Sequence, residues 1–389
     1  MKVAMIDPSA FTAPYDFALA AGIAETGSEP RLYLGNLPPD DRRRGAPGVV
    51  ELFYRGLDRP PVANLPKGLR RLLKGFSHVS GMRLLVEVLR DWRPDVIHFQ
   101  WFPLPIVDRR FLPALRRIAP VVATVHDSNP FNGNPTSRLQ VLGTRSVLGR
   151  TDALIVHTEQ AAQRLRRSGL GARRIVRIPH GPLHDTAPER EPVRRSTIEF
   201  LLFGKLKPYK GLDVLIRATA LLPPDVRQRF RVRVVGQPYM PMGPIFELME
   251  SQGVADRFLF DLRFVAEAEI PALFRQADAA VFPYREIDAS GMLMTALAAE
   301  RPVIASALGC FAELLRDGET ALLVPPGDPV ALARALGRIV GDEVLRWRLA
   351  EAGRQLQDNL PGWREIGEAT RALYDSLVGN PPVRSGLAA

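Results

Sequence analysis

Two lysines five positions apart sit just past an apolar run that ends in glycine, in Phe203-Gly204-Lys205-Leu206-Lys207-Pro208-Tyr209-Lys210-Gly211. The run Ile198–Phe203 predicts a strand, and the apolar spacing of Leu212–Leu222 predicts a helix. A glycine after a strand lets backbone approach a ligand at the strand's carboxyl end, where open parallel sheets place their sites. Two fixed cations there suit a strongly anionic group, and a diphosphate fits best. Taken alone, the same nine residues serve equally well as a surface loop with solvated lysines.

A second feature lies at the end of another predicted strand. Val281-Phe282-Pro283-Tyr284 leads into Arg285-Glu286-Ile287-Asp288-Ala289-Ser290-Gly291, and a helix is expected over Met292–Ala299. Ser290 is a sound N-cap, Gly291 admits close backbone approach, and the amides of a helix start bind phosphate. Ordinary capping is the commoner role for such a serine. Both features fall at strand carboxyl ends, and together they point to one diphosphate site. Glu286 and Asp288 also read as a carboxylate pair for a metal. Lysines can replace a divalent ion at a diphosphate, so neither metal nor cofactor is expected.

The elements that must hold these residues alternate regularly. Strands are predicted at Ile198–Phe203, Arg231–Val235, Phe258–Phe264, Ala279–Phe282, Val303–Ala305 and Ala321–Val324, with helices over Leu212–Leu222, Ile245–Ser251, Ala268–Gln276, Met292–Ala299 and Val330–Val340. The first half repeats the theme less cleanly. Its strands are expected at Val3–Ile6, Arg31–Leu34, Val96–Phe99, Val121–Val125, Ala153–Val156 and Ile175–Ile178, and its helices over Phe17–Glu25, Leu69–Trp92, Arg109–Ile118 and Glu159–Ser168. This alternation predicts an α/β chain of two doubly wound, Rossmann-like domains facing across a cleft. The domains are expected at residues 1–187 and 198–360, joined by a polar, proline-bounded linker over 188–197. A helix over 361–378 and a frayed tail over 379–389 complete the chain. Two such domains suit an enzyme that joins two substrates, one held by each.

Composition narrows the class. The chain has 389 residues, is 46% apolar, and carries Lys+Arg 52 against Asp+Glu 42 for a net charge of +10. Such a balance favours an acidic partner: nucleic acid, an anionic membrane face or a phosphorylated substrate. The scattered cations show no recognised nucleic-acid motif and no interleaved aromatics, so nucleic acid is not the expected partner. The sole cysteine, Cys310, excludes an internal disulfide and fits a reducing cytosol. Met1–Ile6 reads as one short strand, not as a signal-peptide core, and no apolar run approaches the ~18 residues that span a bilayer.

Gly204-Lys205, four residues, then Lys210-Gly211 resembles the G-(R/K)-x4-K-G signature of the family-4 retaining glycosyltransferases, which have the GT-B fold. The stretch from Pro283 to Ser306 resembles the same family, as does Phe311-Ala312-Glu313-Leu314-Leu315-Arg316-Asp317-Gly318 running on to Leu323–Asp328. The likeness continues more weakly through Asp95–His98, Val125-His126-Asp127 and Ile178-Pro179-His180-Gly181. It implies a carboxyl-terminal domain for a UDP- or GDP-linked sugar donor and an amino-terminal domain for a glycan, lipid-linked or small-molecule acceptor. It also implies that the last helix crosses back to the first domain. Lys205 and Lys210 would neutralise the donor diphosphate and the charge growing on the leaving phosphate. Gly204, Ser290, Gly291, Thr295 and Asp288 would line the donor, with Asp16 and Asp127 on the acceptor side. By the same resemblance His126 closes a strand near the reacting sugar; a structural role is the competing reading for it. Core packing is expected of His98, and a turn beside the hinge of His180-Gly181.

Two departures from the family pattern stand out. The second glutamate of its E-x7-E pattern falls on Thr295, with Glu286 nine and Asp288 seven residues before it. Threonine offers one hydrogen bond where a carboxylate grips a diol at two points. Of the two upstream acids, Glu286 is the expected sugar contact. The family's glycine-rich first loop is replaced by Pro8–Asp16, where Asp16 also reads as the cap of a helix beginning at Phe17. A basic stretch, Pro66–Phe76, sets leucines on one helical face and cations on another. It suits an anionic lipid surface, or a helix packed on the sheet with a solvated basic face. The expected activity is retaining transfer of a hexose-type sugar in polysaccharide, lipid-linked glycan or glycosylated-metabolite synthesis, in the cytoplasm or on the inner membrane face. A UDP-sugar epimerase or phosphorylase, or a non-catalytic nucleotide-sugar binder, would share the two-domain form.

Overall fold

The computed structural model describes residues 1–38, 41–57, 65–128, 142–171, 173–183 and 197–379. Of the expected linker over 188–197, all but Thr197 lies outside the described residues, as does the tail beyond Gly379. Two all-parallel sheets carry the fold. The first consists of β1 (Lys2–Asp7), β2 (Glu29–Leu34), β3 (Val49–Glu51), β4 (Val96–Phe99), β5 (Val121–Val125), β6 (Ala153–Val156) and β7 (Arg174–Arg177), in the order β3-β2-β1-β4-β5-β6-β7. The second consists of β8 (Ile198–Phe203), β9 (Phe230–Val235), β10 (Phe258–Asp261), β11 (Ala279–Phe282), β12 (Val303–Ser306) and β13 (Leu322–Val324), in the order β10-β9-β8-β11-β12-β13. The chain therefore holds two Rossmann-like α/β domains.

The central strands are apolar on both faces because helices cover both. β4, β5 and β6 are buried at every residue, as are β11 and β12. At the first sheet's edge, β7 turns Arg174 and Arg177 to solvent. Strand order reverses between β1 and β4 in the first sheet and between β8 and β11 in the second. At such a switch point the flanking loops diverge and leave a crevice at the carboxyl ends. The loop after β8 holds Lys205 and Lys210, and the loop after β11 holds Glu286 to Ser290. Both features singled out by composition thus flank one switch point.

Two compact units result, one spanning the described residues to Pro179 plus the segment from Pro361, the other His180–Leu360. The division falls before the expected residue 187 because His180 and Leu183 pack against Gly291 of the second unit. In the first unit, the Trp363–Val378 helix lies on the Ala13–Glu25 helix, backbone against backbone. A Cβ on Gly22 would stand 2.0 Å from the Trp363 carbonyl oxygen, and one on Gly367 would stand 2.2 Å from that of Gly22. Tyr374 from the same helix bonds His98 Nδ1 at 2.6 Å, so His98 is a packed core residue as expected.

Several expected elements differ. The helix predicted over Arg109–Ile118 contains only Leu112–Arg116, restarted by Pro113 in its first turn. The first helix begins at Ala13 rather than Phe17, with Pro14 in its first turn. β10 stops at Asp261 instead of Phe264. The short edge strand β3 and the Glu343–Asp358 helix were not anticipated.

Candidate active site

The geometry after β8 turns on a lysine inside the fold. Lys210 ends a tight turn over Pro208–Lys210 and is only 7% exposed. Its Nζ donates to the Tyr284 hydroxyl at 2.6 Å and lies 3.4 Å from the Phe203 carbonyl. The ammonium also stands under Gly204: that residue has φ +118, and a Cβ there would reach within 3.0 Å of Nζ. A glycine is needed at 204 for both reasons. Burial lowers the Lys210 pKa to about 7, with Lys207 and Lys205 adding like-charge repulsion. Lys205 is more exposed, and desolvation followed by Lys207 lowers its pKa less. Burial, with Lys207 nearby, thus opposes the charged form of both Lys205 and Lys210.

The loops after β8 and β11 are latched to each other. Gly211 has φ +68, and its missing Cβ would fall 1.9 Å from the Pro283 carbonyl oxygen. Arg285 donates its backbone amide to the Tyr209 carbonyl at 2.7 Å and grips Asp213 through two guanidinium bonds of 2.7 and 2.6 Å. This bidentate pair ties the loop after β11 to the start of the Leu212–Leu221 helix. Glu286 lies on the wall of an open groove with Tyr209, Leu212 and Arg285. Tyr284, Asp213 and Arg285 were missed in the sequence, since tyrosine and a lone ion pair carry no recognisable spacing.

Other donor-side expectations are met only in part. Ser290 caps the Gly291–Ala298 helix by accepting the Leu293 amide at 3.3 Å. Gly291 is packed so closely that a Cβ would meet Leu183 at 2.4 Å. Thr295 is enclosed in the same helix. It is 1% exposed, and its hydroxyl donates to the Gly291 carbonyl at 3.1 Å, the backward bond threonines make in helices. That proton is therefore not offered to a ribose. Asp288 is also enclosed, at 3% exposure, while its carbonyl accepts the Cys310 amide. Of the two acids, Glu286 is the accessible one.

In the first unit, His126 follows β5. Its Nδ1 lies 3.2 Å from Nε2 of His157, and its Nε2 lies 3.2 Å from the Gln100 side-chain oxygen. Tyr15 stands edge-on to it at 4.7 Å. Asp127 lines a small apolar cavity with Trp101 and Phe102. Asp16 requires correction. It sits inside the first helix, has no exposed surface, and accepts the Thr12 hydroxyl at 3.0 Å, so it neither caps a helix at Phe17 nor presents itself to an acceptor. Burial beside Asp7 pushes its pKa well up. His180, expected in a simple turn, bonds the Gly181 carbonyl at 2.7 Å and is held neutral by burial, with a pKa of about 4. Among the described residues no group of three acidic, histidine or cysteine side chains is placed to hold a metal. No helix among them is long and apolar enough to cross a membrane.

Residues 197–342 match the family described as Glycosyl transferases group 1, and residues 13–181 match the Glycosyl transferase 4-like domain. A D-inositol 3-phosphate glycosyltransferase of Actinosynnema mirum is 33% identical over 355 residues, 79% of this chain and 82% of that protein. The protein of the same name from Streptomyces coelicolor is 28% identical, covering 86% and 79%. Among solved structures, sucrose-phosphate synthase from Thermosynechococcus elongatus superposes with a TM-score of 0.75 at 21% identity, covering 97% of this chain and 99% of that one. Anabaena HepE in complex with UDP-glucose gives 0.74 at 18% identity, covering 97% and 100%. The two structural likenesses establish the fold.

Proposed function

The chain belongs to the group 1 glycosyl transferases and is a glycosyltransferase of the GT-B fold; from that premise we propose that it transfers a hexose-type sugar from a nucleotide-diphosphate donor to a hydroxyl, with retention at the anomeric carbon. One observation carries the reading. Lys205 and Lys210 occupy the loop after β8, at the switch point with β11, and Lys210 is held under Gly204 by Tyr284.

A diphosphate lodged there would pair with Lys205 and Lys210, and its negative charge would favour the protonated form of Lys210. As the glycosyl–phosphate bond breaks, charge grows on the departing oxygen. Cations already in place stabilise that charge without reorganising. The acceptor hydroxyl attacks from the face the phosphate leaves, and its proton passes to the leaving phosphate. The sugar–oxygen bond forms as the sugar–phosphate bond breaks, with no covalent protein intermediate. Glu286 is the accessible carboxylate for a sugar hydroxyl, and His126 is the first domain's residue assigned by family resemblance to the sugar. The lysines take the neutralising role a divalent metal has elsewhere, so activity should persist in chelator. The names of the relatives and structural neighbours, with inositol 3-phosphate, UDP and glucose among them, support a nucleotide-sugar donor and a hydroxyl acceptor.

For location we propose the cytoplasm, with the Lys67–Trp92 helix resting on an anionic membrane face. Leu72 and Phe76 are 63% and 72% exposed on that helix, beside exposed Arg70 and Arg71. Such a surface would bring a lipid-linked acceptor to the enzyme in glycan synthesis. The test presents UDP- and GDP-sugars, with extracted lipid-linked oligosaccharides and free polyols as acceptors, and reads products by mass spectrometry. Transfer or slow hydrolysis that Lys210→Ala abolishes supports the reading. Inertness toward every donor overturns it, and epimer interconversion without an acceptor would identify an epimerase instead.

A further inference from the structure

Asp7 and Asp16 lie side by side inside the first unit. Asp7 closes β1, Asp16 belongs to the Ala13–Glu25 helix, and neither has any exposed surface. The Ser9 amide donates to Asp7 Oδ1 at 3.1 Å, and the Thr12 amide to Asp7 Oδ2 at 2.9 Å. The Thr12 hydroxyl stands between the two acids, 3.0 Å from Asp16 Oδ1 and 3.2 Å from Asp7 Oδ2. Among the described residues nothing donates to Asp16 Oδ2, which is buried. Two full negative charges enclosed this way are not tolerated, and a proton must cancel one of them. Two backbone amides favour the ionised form of Asp7. The proton therefore belongs to Asp16, on the oxygen that no donor reaches, with the Asp7 carboxylate beside it as acceptor. We propose that Asp7 and Asp16 share one proton, and that this proton locks the loop over residues 8–12 in place.

The residues that bond the two acids are the loop itself. The Ala10 amide donates to the Asp7 carbonyl at 3.1 Å, and Ala10 stands at φ +48, a left-handed conformation that costs an alanine energy. Phe11, 47% exposed, stacks at 5.2 Å on Trp101, which follows β4. The loop thus reaches across the β1–β4 switch point of the first sheet. Losing the proton sets two like charges together without water, and the strained loop is the part that can yield. The facing groups favour retention of the proton. Burial, then the Asp7 charge, holds the Asp16 carboxyl well above the usual carboxylate range, with Arg43 from the segment after β2 opposing them. Asp41 grips that guanidinium, which lies over the Phe17 ring. Tyr15 in the same helix and Tyr54 after β3 have hydroxyls pushed up by burial, and both stay neutral. On the last helix, Arg371 bonds Ser28 and Asp375. An acid whose folded pKa is raised stabilises the fold fully below its unfolded pKa. That contribution is lost as pH rises through the folded value.

The lock lies wholly in the first unit, and its test needs neither donor nor turnover. The full chain, labelled with 13C at the aspartate carboxyls, is followed by infrared spectroscopy from about pH 5 to about pH 10. A protonated aspartic acid band is expected at neutral pH, missing in Asp16→Asn. The same band should shift in Thr12→Val, which removes the hydroxyl bond to Asp16 Oδ1 and assigns it a second time. Hydrogen exchange at the Ser9 and Thr12 amides, corrected for the intrinsic rate, should quicken at least about tenfold as the band is lost. Asp16→Asn keeps a donor toward Asp7 and cannot ionise, so its amides should stay protected throughout. A band that outlasts the whole range, with the amides protected, also supports the lock. Absence of the Asp16 band at neutral pH overturns the proposal, as does loss of the band without faster exchange.

Discussion

Lys210 and Tyr284 meet in a 2.6 Å hydrogen bond, ammonium to phenol oxygen, and the same ammonium lies 4.4 Å from the centre of the Tyr284 ring. Tyr284 arrives from β11 and Lys210 from the loop after β8, so the bond stitches the two sides of the switch point together. It also decides where the cation points. A lysine with four rotatable bonds loses much entropy when fixed. The tyrosine defrays that cost before any ligand binds. Tyr284→Phe keeps the ring and removes the oxygen. Affinity for UDP or GDP is expected to fall by roughly fivefold, about 1 kcal/mol, in a calorimetric titration.

The depressed pKa of Lys210, about 7, gives nucleotide binding a signed pH dependence. Below that pH the empty site already holds its proton. Above it, the lysine must take one up as the diphosphate binds. Affinity is expected to weaken as pH rises from 7 toward 9, by up to about tenfold per unit. Titrations at pH 8 in buffers of different ionisation enthalpy should show proton uptake approaching one per site. Affinity that does not change across this range would exclude Lys210 as the group that pairs with the diphosphate.

Gly211 combines a left-handed φ of +68 with a Cβ position 1.9 Å from the Pro283 carbonyl oxygen. Backbone cannot yield as a side-chain tip can. Gly211→Ala is therefore expected to destabilise the fold by about 2–4 kcal/mol, read from denaturant midpoints. Gly253→Ala, strained at φ +62 but with open space around it, should cost only about 1 kcal/mol.

Tyr374→Phe tests the attachment of the last helix. His98 is fully buried between Tyr374 at 2.6 Å and the Thr124 hydroxyl at 2.7 Å. Removing the phenol oxygen leaves Nδ1 without that partner in a packed core. A loss of about 1–3 kcal/mol is expected in chemical denaturation.

The exposed face of the Lys67–Trp92 helix is tested with vesicles. The full chain is expected to co-sediment with phosphatidylglycerol-containing vesicles and to be released by salt. Leu72→Ser with Phe76→Ser should abolish the binding at low salt, and Arg70→Gln with Arg71→Gln should weaken it by about 1 kcal/mol per charge removed. Equal binding to neutral vesicles would remove the electrostatic part of the reading.

Much of this was legible in the sequence because strands and ligand loops leave local traces. The apolar runs of β8 and β11, each ending in a loop with glycine or serine, mark both loops of the candidate site in the sequence itself. The buried place of Asp16 and the occupied donor of Thr295 were not legible, for a different reason. Spacing gives the face a residue occupies, not whether its polar atoms are already taken by a backbone carbonyl or a neighbouring hydroxyl. His157 and Tyr284 were invisible because their partners come from other strands. The Glu343–Asp358 helix was readable and overlooked: Asp342 caps it through the Leu345 amide, and Leu345, Leu349 and Gly353 recur at helical spacing on its buried side.

Calorimetric titration of UDP and GDP into the unmodified chain and into Lys210→Met tests the central claim most directly. The methionine fills similar space and removes a desolvated charge, but it leaves the buried Tyr284 hydroxyl without that bond, so denaturation of the variant is measured alongside and binding is compared in the folded protein. The account predicts saturable binding of one or both nucleotides, weakened at least about 100-fold in Lys210→Met. Failure of either nucleotide to bind, or equal affinity in the variant, would contradict it.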